Sequence, residues 1–378
     1  MSERTTTTSI GDAAPAAPAW RWEEWRLPSG LTGRAALPDE PRYPPLLLLH
    51  GLAGGAWYWE RWQRFLAERG WPSYALNLRG HHDSRPVPAL GKVSLRDYVE
   101  DTHEAAAALD RPVVVGHSMG GLLAQALAAT DAVSAAVLLC SMPPKGIRFA
   151  SLPLAWRQLR NLGPLLFERP VVGRVADHEY LSLHRVPAAE RAALAGRLVP
   201  DSGRVGRELS LGGLAVDRDR VRCPMLSISA EEDRFFPPRV GREISARYHC
   251  AWWRYRAHAH FVVMEPGWET IAADAERWLA HMLAVPSRQV AYDRLWRQLQ
   301  GSIGEERELT FYDGRRVVAE IVNVDLARHQ DVIYELRAVR DPGPGGMEQP
   351  AVGDTVRAGL YELSAQRSAV SAQGSDER

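Results

Sequence analysis

The sequence predicts a three-layer α/β fold, a mostly parallel sheet with helices on both faces. Two observations carry this. Short apolar runs alternate with helical stretches along most of the chain, the signature of parallel crossover units. One of those runs, Val113-Val114-Val115, leads directly through Gly116-His117-Ser118-Met119-Gly120 into a helix-forming segment. At 378 residues, the chain is long enough for two domains, or one large domain with an appendage.

Along the chain, residues 1–18 lack periodicity and read as a disordered tail. Alternation from Trp20 to Trp25, then Pro28-Ser29-Gly30, predicts a strand and a turn, with a second strand near Leu31–Ala36. Further strands are expected at Pro45–Leu49, Tyr74–Leu78, Pro112–Val115, Ala135–Cys140, Met225–Ser229 and Cys250–Arg256. Helical spacing falls between them, at Glu60–Arg69, Ser94–Leu109, Ser118–Ala129, Arg239–Arg247 and Trp268–Leu283.

The interval from Cys140 to Met225 has no strand pattern, whereas Leu152–Leu166 and Ala188–Leu198 look helical. We expect a helical cap over about 145–220. Its 13 basic and 8 acidic residues make it mildly positive, which reads as a solvated surface. The sheet-and-helix domain then covers 19–285. Over 286–366 we expect a linker helix near Ser287–Leu299 and a small antiparallel β domain, with strands near Leu309–Tyr312, Arg316–Val324, Val332–Val339 and Thr355–Leu363. Asp313-Gly314 is a hairpin signal. A disordered tail is expected over 367–378.

Hydrophobic residues make up 46% and charged residues 24%, an ordinary globular balance. Lys+Arg and Asp+Glu both total 46, which argues against nucleic-acid binding through bulk charge. Cys140, Cys223 and Cys250 are too scattered for a disulfide framework or a metal-type pair. The N-terminus lacks the basic start and apolar core of a secretory signal. Leu46–Leu49 is far shorter than a membrane span. The expected setting is the cytoplasm, with no membrane span.

The sharpest chemical signal is the strand–Gly-x-Ser-x-Gly–helix segment. A serine on so tight a turn lies in a strained conformation with chain packed close on either side, and Gly116 and Gly120 remove the side chains that would clash. The second signal is Leu46–Leu49 running into His50-Gly51-Leu52-Ala53-Gly54-Gly55. Acyl transfer needs two backbone amides converging on the carbonyl oxygen; the candidate pair is Leu52 and Met119. A phosphate loop is excluded by the missing Gly-Lys-Ser/Thr ending.

Together, His50-Gly51, Arg79-Gly80-His81 and Gly116–Gly121 resemble the α/β-hydrolase superfamily, over roughly residues 31–283. The resemblance implies the order Ser, acid, His along the chain. It places the acid at Asp233, in Glu231-Glu232-Asp233-Arg234-Phe235-Phe236-Pro237, with Ala230 and Phe236 where glycine and valine are usual. The histidine it implies is His260, in His258-Ala259-His260-Phe261, with Ala259 where glycine is usual and His258 as the rival. His81 takes a structural role beside the site. His82, where relatives carry glycine, is a candidate pocket-lining residue. A His-x-His pair is also a conceivable metal set with His81-His82-Asp83, but no full metallohydrolase spacing is present.

The resemblance implies cofactor-free covalent catalysis: Ser118 as nucleophile, His260 as base, Asp233 fixing its tautomer. The expected activity is hydrolysis of a carboxylic ester or thioester of apolar or aromatic character, with no metal. The fold also hosts carbon–carbon bond hydrolysis, perhydrolysis and cyanohydrin cleavage on the same triad, and non-catalytic binding proteins. Trp57, Tyr58, Trp59 and Trp62 are read mainly as packing, with one or two facing the pocket. Phe149, Leu152, Leu154 and Trp156 are open to the same two readings. The C-terminal β domain, including Arg315 and Arg316, reads as a packing or dimerisation surface or a protein-partner site.

Overall fold

The computed structural model describes residues 19–149, 159–283, 304–311, 316–326, 332–340, 355–359 and 363–368. The first eight strands are β1 Trp20–Arg26, β2 Thr32–Pro38, β3 Leu46–Leu49, β4 Ser73–Asn77, β5 Val113–His117, β6 Ala135–Leu139, β7 Met225–Ala230 and β8 Ala251–Tyr255. They form one sheet in the order β1-β2-β4-β3-β5-β6-β7-β8. β1 and β2 are antiparallel, β2 meets β4 antiparallel, and every pair from β4 to β8 is parallel.

Alternation along the central strands explains why helices cover both faces. Leu46, Leu48, Val113 and Val115 point into a core shared with Trp62 and Leu66 of α1 (Glu60–Ala67) and Ile271 and Trp278 of α9 (Trp268–Leu283). Leu47, Leu49 and Val114 point the other way. They meet Tyr98 of α2 (Leu95–Ala107), Leu122 of α3 (Met119–Ala128) and Val240 of α8 (Pro238–Tyr248). Ser94 caps α2, accepting from the Asp97 amide while Asp97 accepts from the Ser94 amide.

Between β6 and β7 lies the cap, with helices α4 (Leu162–Leu166), α5 (Val175–Leu181), α6 (Ala188–Ala195) and α7 (Gly203–Ser210). One antiparallel bridge, Val171 to Asp201, ties it internally. Leu152, Leu154 and Trp156 lie outside the described residues. Among those described, no helix is long and apolar enough to cross a membrane.

A second, antiparallel sheet holds β9 Glu306–Phe311, β10 Arg316–Leu326, β11 Val332–Arg340, β12 Thr355–Gly359 and β13 Leu363–Ser368, in the order β12-β11-β10-β9-β13. Two expectations change here. The strand expected near Thr355–Leu363 is two strands, and β13 takes Arg367 and Ser368 out of the assigned tail because they pair with Glu308 and Arg307. The linker helix, Asp313-Gly314 and Arg315 fall outside the described residues.

Candidate active site

Ser118 stands between the last residue of β5 and the first of α3, with φ 56° and ψ −119°. A side-chain-bearing residue at positive φ is strained, and it persists only where the surroundings hold it. They do so here. The Ser118 amide donates to the Leu139 carbonyl at 3.0 Å, and its own carbonyl accepts from Gly121 at 3.0 Å and Met142 at 2.9 Å. The turn also needs its glycines: a Cβ at Gly116 would overlap the Gly120 carbonyl, and one at Gly120 would overlap that of Leu49.

The loop after β8 brings His260 to this turn. Its Nε2 lies 3.0 Å from Ser118 Oγ and its Nδ1 lies 2.9 Å from Asp233 Oδ2. Asp233, on the turn after β7, accepts the Phe235 and Phe236 amides at 2.7 and 3.0 Å on its other oxygen. One oxygen is thereby fixed by backbone while the other faces the imidazole. Phe235 and Phe236 pack against that ring, with centroids 4.5 and 5.6 Å away. His117 Nε2 donates to the His260 carbonyl at 2.8 Å. Burial pushes the His117 imidazole down to about 3, with His260 adding to the effect, so the supporting ring is neutral.

The His50–Gly55 loop lies alongside. His50 Nδ1 donates to the Gly51 carbonyl at 2.7 Å, and its Nε2 accepts the Leu78 amide at 3.3 Å. Burial, and then His81, drives the His50 pKa down to about 3. It is a neutral structural ring that pins the loop to the chain after β4. A Cβ on Gly51 would crowd Ser118 Cβ, so this backbone runs close against the serine. Among the described residues, neither the Leu52 nor the Met119 amide has a hydrogen-bond acceptor. Two donors flanking the serine are left for an incoming group.

Above them lies a cavity of about 1000 Å³, lined by Ser118, His260, Leu52 and Met119 below and by Leu162 and Leu181 of the cap above. Its wall is mainly apolar, and among the described residues four cations, Lys145, Arg148, Arg160 and Arg174, also line it.

Residues 44–266 match the family model for the alpha/beta hydrolase fold. The chain belongs to the α/β-hydrolase family. A rice (Oryza sativa) protein named as a probable esterase, PIR7A, is 40% identical to this α/β hydrolase over 128 residues, which cover 32% of this chain and 47% of the rice protein. The chain thus spans about half the length of that relative. A protein of Escherichia coli O157:H7 that bears the name "Putative carbamate hydrolase RutD" is 27% identical over 218 residues, 54% of this chain and 79% of that one. Among solved structures, a monoacylglycerol lipase of Paleococcus ferrophilus superposes with a TM-score of 0.52 at 20% identity, covering 70% of this chain and 99% of its own. A thermophilic esterase of Thermogutta terrifontis does so at 0.54 and 17%, covering 69% and 99%. At these identities the superpositions speak for the fold alone.

The α/β-hydrolase scaffold thus brings together Ser118, Asp233, His260 and the Leu52 and Met119 amides. It separates others. The His258 ring faces Glu265, at 3.3 Å from Nδ1, and Glu265 also accepts the Ala259 amide at 2.8 Å. His82 is not on the cavity wall. It lines a second depression beside Trp22, Glu60 and Arg197, where its ring covers Gly55. Trp57, Tyr58 and Phe149 do line the cavity, whereas Trp59 and Trp62 are wholly within the core.

His258 and His260 do not join His81-His82-Asp83 as a donor set. Among the described residues the one cluster with donor atoms within 4.8 Å is Cys140, Asp233 and His260, all buried. Two of its members are already joined by a hydrogen bond, and burial, followed by the Asp233 charge, holds the Cys140 thiol well above its ordinary pKa. Sequence reasoning missed Glu265 as the partner of His258, and Asp201, described below. Glu265 stands in a Glu-Pro pair seven residues after His258, a spacing that could have suggested it.

Proposed function

We propose that the protein is a serine hydrolase that cleaves a carboxylic ester or thioester of apolar or aromatic character through an acyl-enzyme. The observation that carries this is the continuous chain Asp233–His260–Ser118, with links of 2.9 and 3.0 Å, ending beneath an apolar cavity. The names of the rice and Escherichia coli relatives support hydrolysis of an acyl bond.

In this reading, His260 Nε2 takes the Ser118 proton as Oγ attacks the carbonyl carbon. Asp233 holds the Nδ1–H tautomer and stabilises the imidazolium. The Leu52 and Met119 amides receive the oxyanion, and losing one such donor typically costs roughly 10²–10³ in rate. Collapse breaks the bond to the leaving group, which departs as alcohol or thiol with the proton from His260. Water then adds to the acyl-enzyme, giving its proton to His260, and the acid leaves as Ser118 regains a proton. No step calls on a cofactor. The apolar wall takes the acyl group, and the C-terminal sheet serves packing or self-association.

Reaction with a fluorophosphonate, mapped by intact mass and peptide analysis, tests the reading. A single adduct on Ser118, with hydrolysis of p-nitrophenyl or thioester substrates lost in Ser118→Ala, is the expected result. A folded wild-type protein that forms no adduct and turns over no ester or thioester would instead be a binding protein on this scaffold, and the proposal would fail.

A further inference from the structure

The cap reaches the loop beside the serine through Asp201. Asp201, between α6 and α7, is 4% exposed. Its Oδ2 accepts the Ala53 amide at 2.7 Å and His81 Nε2 at 3.2 Å; its Oδ1 accepts the Tyr98 hydroxyl at 2.8 Å and the Ser202 amide at 2.6 Å. The other ring nitrogen of His81 lies 3.2 Å from the Arg79 carbonyl, so both nitrogens face acceptors and the geometry suits an imidazolium paired with the carboxylate. The same cap segment closes on Ala53 a second time, since the Val199 amide donates to the Ala53 carbonyl at 2.9 Å.

Ala53 is therefore gripped at both its amide and its carbonyl by the cap, and it needs to be. Its φ is 60°, a conformation that costs a non-glycine residue energy unless its surroundings impose it. Relaxation of Ala53 would turn the Leu52–Ala53 peptide and, through the Leu52 Cα, shift the adjoining Gly51–Leu52 peptide that carries the Leu52 N–H, on a backbone that runs close against Ser118. The grip is itself anchored: Ser202 Oγ donates to the Gly91 and Val93 carbonyls at 3.0 and 2.6 Å, and Tyr98 belongs to core helix α2.

We infer that Asp201 is a positioning residue, a cap carboxylate that fixes the Leu52–Ala53 segment so that the Leu52 amide faces the reacting carbonyl. This deepens the proposed function and rests on it for the role of the Leu52 amide. The alternative is that Asp201 only fastens the cap, in which case its loss would disturb substrate capture and leave turnover of bound substrate intact.

Two measurements on the full chain decide between them. In Asp201→Ala, which leaves the Ala53 amide with no side-chain acceptor, kcat for a short p-nitrophenyl ester is expected to fall about 10²-fold, the scale of a small misplacement of a catalytic group, with KM within threefold. Tyr98→Phe keeps the Ala53 and His81 bonds and should stay within about threefold of wild type. A raised KM with unchanged kcat in Asp201→Ala overturns the inference.

The second measurement needs no turnover. Amide hydrogen exchange at Ala53 in the wild-type protein should be as slow as in the central strands, and at least tenfold faster in Asp201→Ala. Exchange at the rate of an exposed loop in wild type overturns the inference even if the variant does not fold. A wild type that neither labels at Ser118 nor hydrolyses esters or thioesters removes the hydrolase reading, while the exchange at Ala53 still decides the grip.

Discussion

His258 and His260 are separated by a single residue, yet their rings belong to different carboxylates: Glu265 at 3.3 Å from one, Asp233 at 2.9 Å from the other. Ala259 between them is wholly buried and donates its amide to Glu265. The loop is thus held at its centre while His260 is turned toward Ser118.

His260→Ala should lower kcat/KM by at least about 10³-fold, the scale of losing a general base in such a unit. His258→Ala should cost less than tenfold in kcat/KM and act on stability instead, because it strips a partner from the wholly buried Glu265. Steady-state kinetics and urea unfolding of both variants check this. A reversal of the two kinetic effects would move the base to His258.

For Asp233→Asn we expect a loss of about 10³–10⁴ in kcat with little change in KM. The Phe235 and Phe236 amides can still be accepted by the side-chain carbonyl, so the fold should hold. The amide nitrogen then faces His260 Nδ1 and favours the wrong tautomer. Activity within tenfold of wild type would assign the acid elsewhere.

Gly120→Ala tests the packing beneath the serine. The added methyl would overlap the Leu49 carbonyl, and backbone cannot yield as a side-chain tip can. Destabilisation of about 1–3 kcal/mol or more is expected, together with loss of fluorophosphonate labelling at Ser118. A variant of wild-type stability would show that the β3–α3 contact is loose.

Acid should destabilise the protein through its two buried neutral histidines. His50 and His117 each drop from an ordinary 6.5 to about 3, chiefly through burial. As pH falls from 6.5 toward 3 the unfolded chain gains protons that the folded one refuses, so stability is lost in that window. The slope is at most about 1.4 kcal/mol per pH unit for each histidine. His81 works with the opposite sign: burial disfavours its charge, yet Asp201 more than compensates and raises its pKa, so that contribution is full below 6.5 and fades as pH rises. Denaturant unfolding between pH 4.5 and 7.5 should show a shallower acid slope for His117→Asn than for wild type. Equal slopes would rule out a neutral buried His117 as a source of the acid sensitivity.

Most of the scaffold was legible in one dimension because its causes are local. Four leucines in a row at 46–49, bounded by Pro45 and His50-Gly51, suit a short strand buried on both faces, and a serine between close-set glycines after Val113–Val115 calls for a tight strand-to-helix turn. The chain order Ser118, Asp233, His260 was readable through resemblance to a family, and so were the His50-Gly51 loop and its candidate amides. Trp57, Tyr58, Trp59 and Trp62 were not separable, since four aromatic residues in six positions look alike until the fold buries all four in one core and brings Trp57 and Tyr58 to the cavity wall as well.

What the sequence determined on its own is what short-range chemistry encodes: the periodicity of strands and helices, the strained turn, and the residue types able to do acyl transfer. Only the tertiary structure decided which of two neighbouring histidines meets Asp233. It alone showed that His82 leaves the cavity, and that Asp201 reaches Ala53 across 148 positions of chain. The physical reason is that a buried carboxylate must find donors wherever the packed chain supplies them. No local pattern records which those will be.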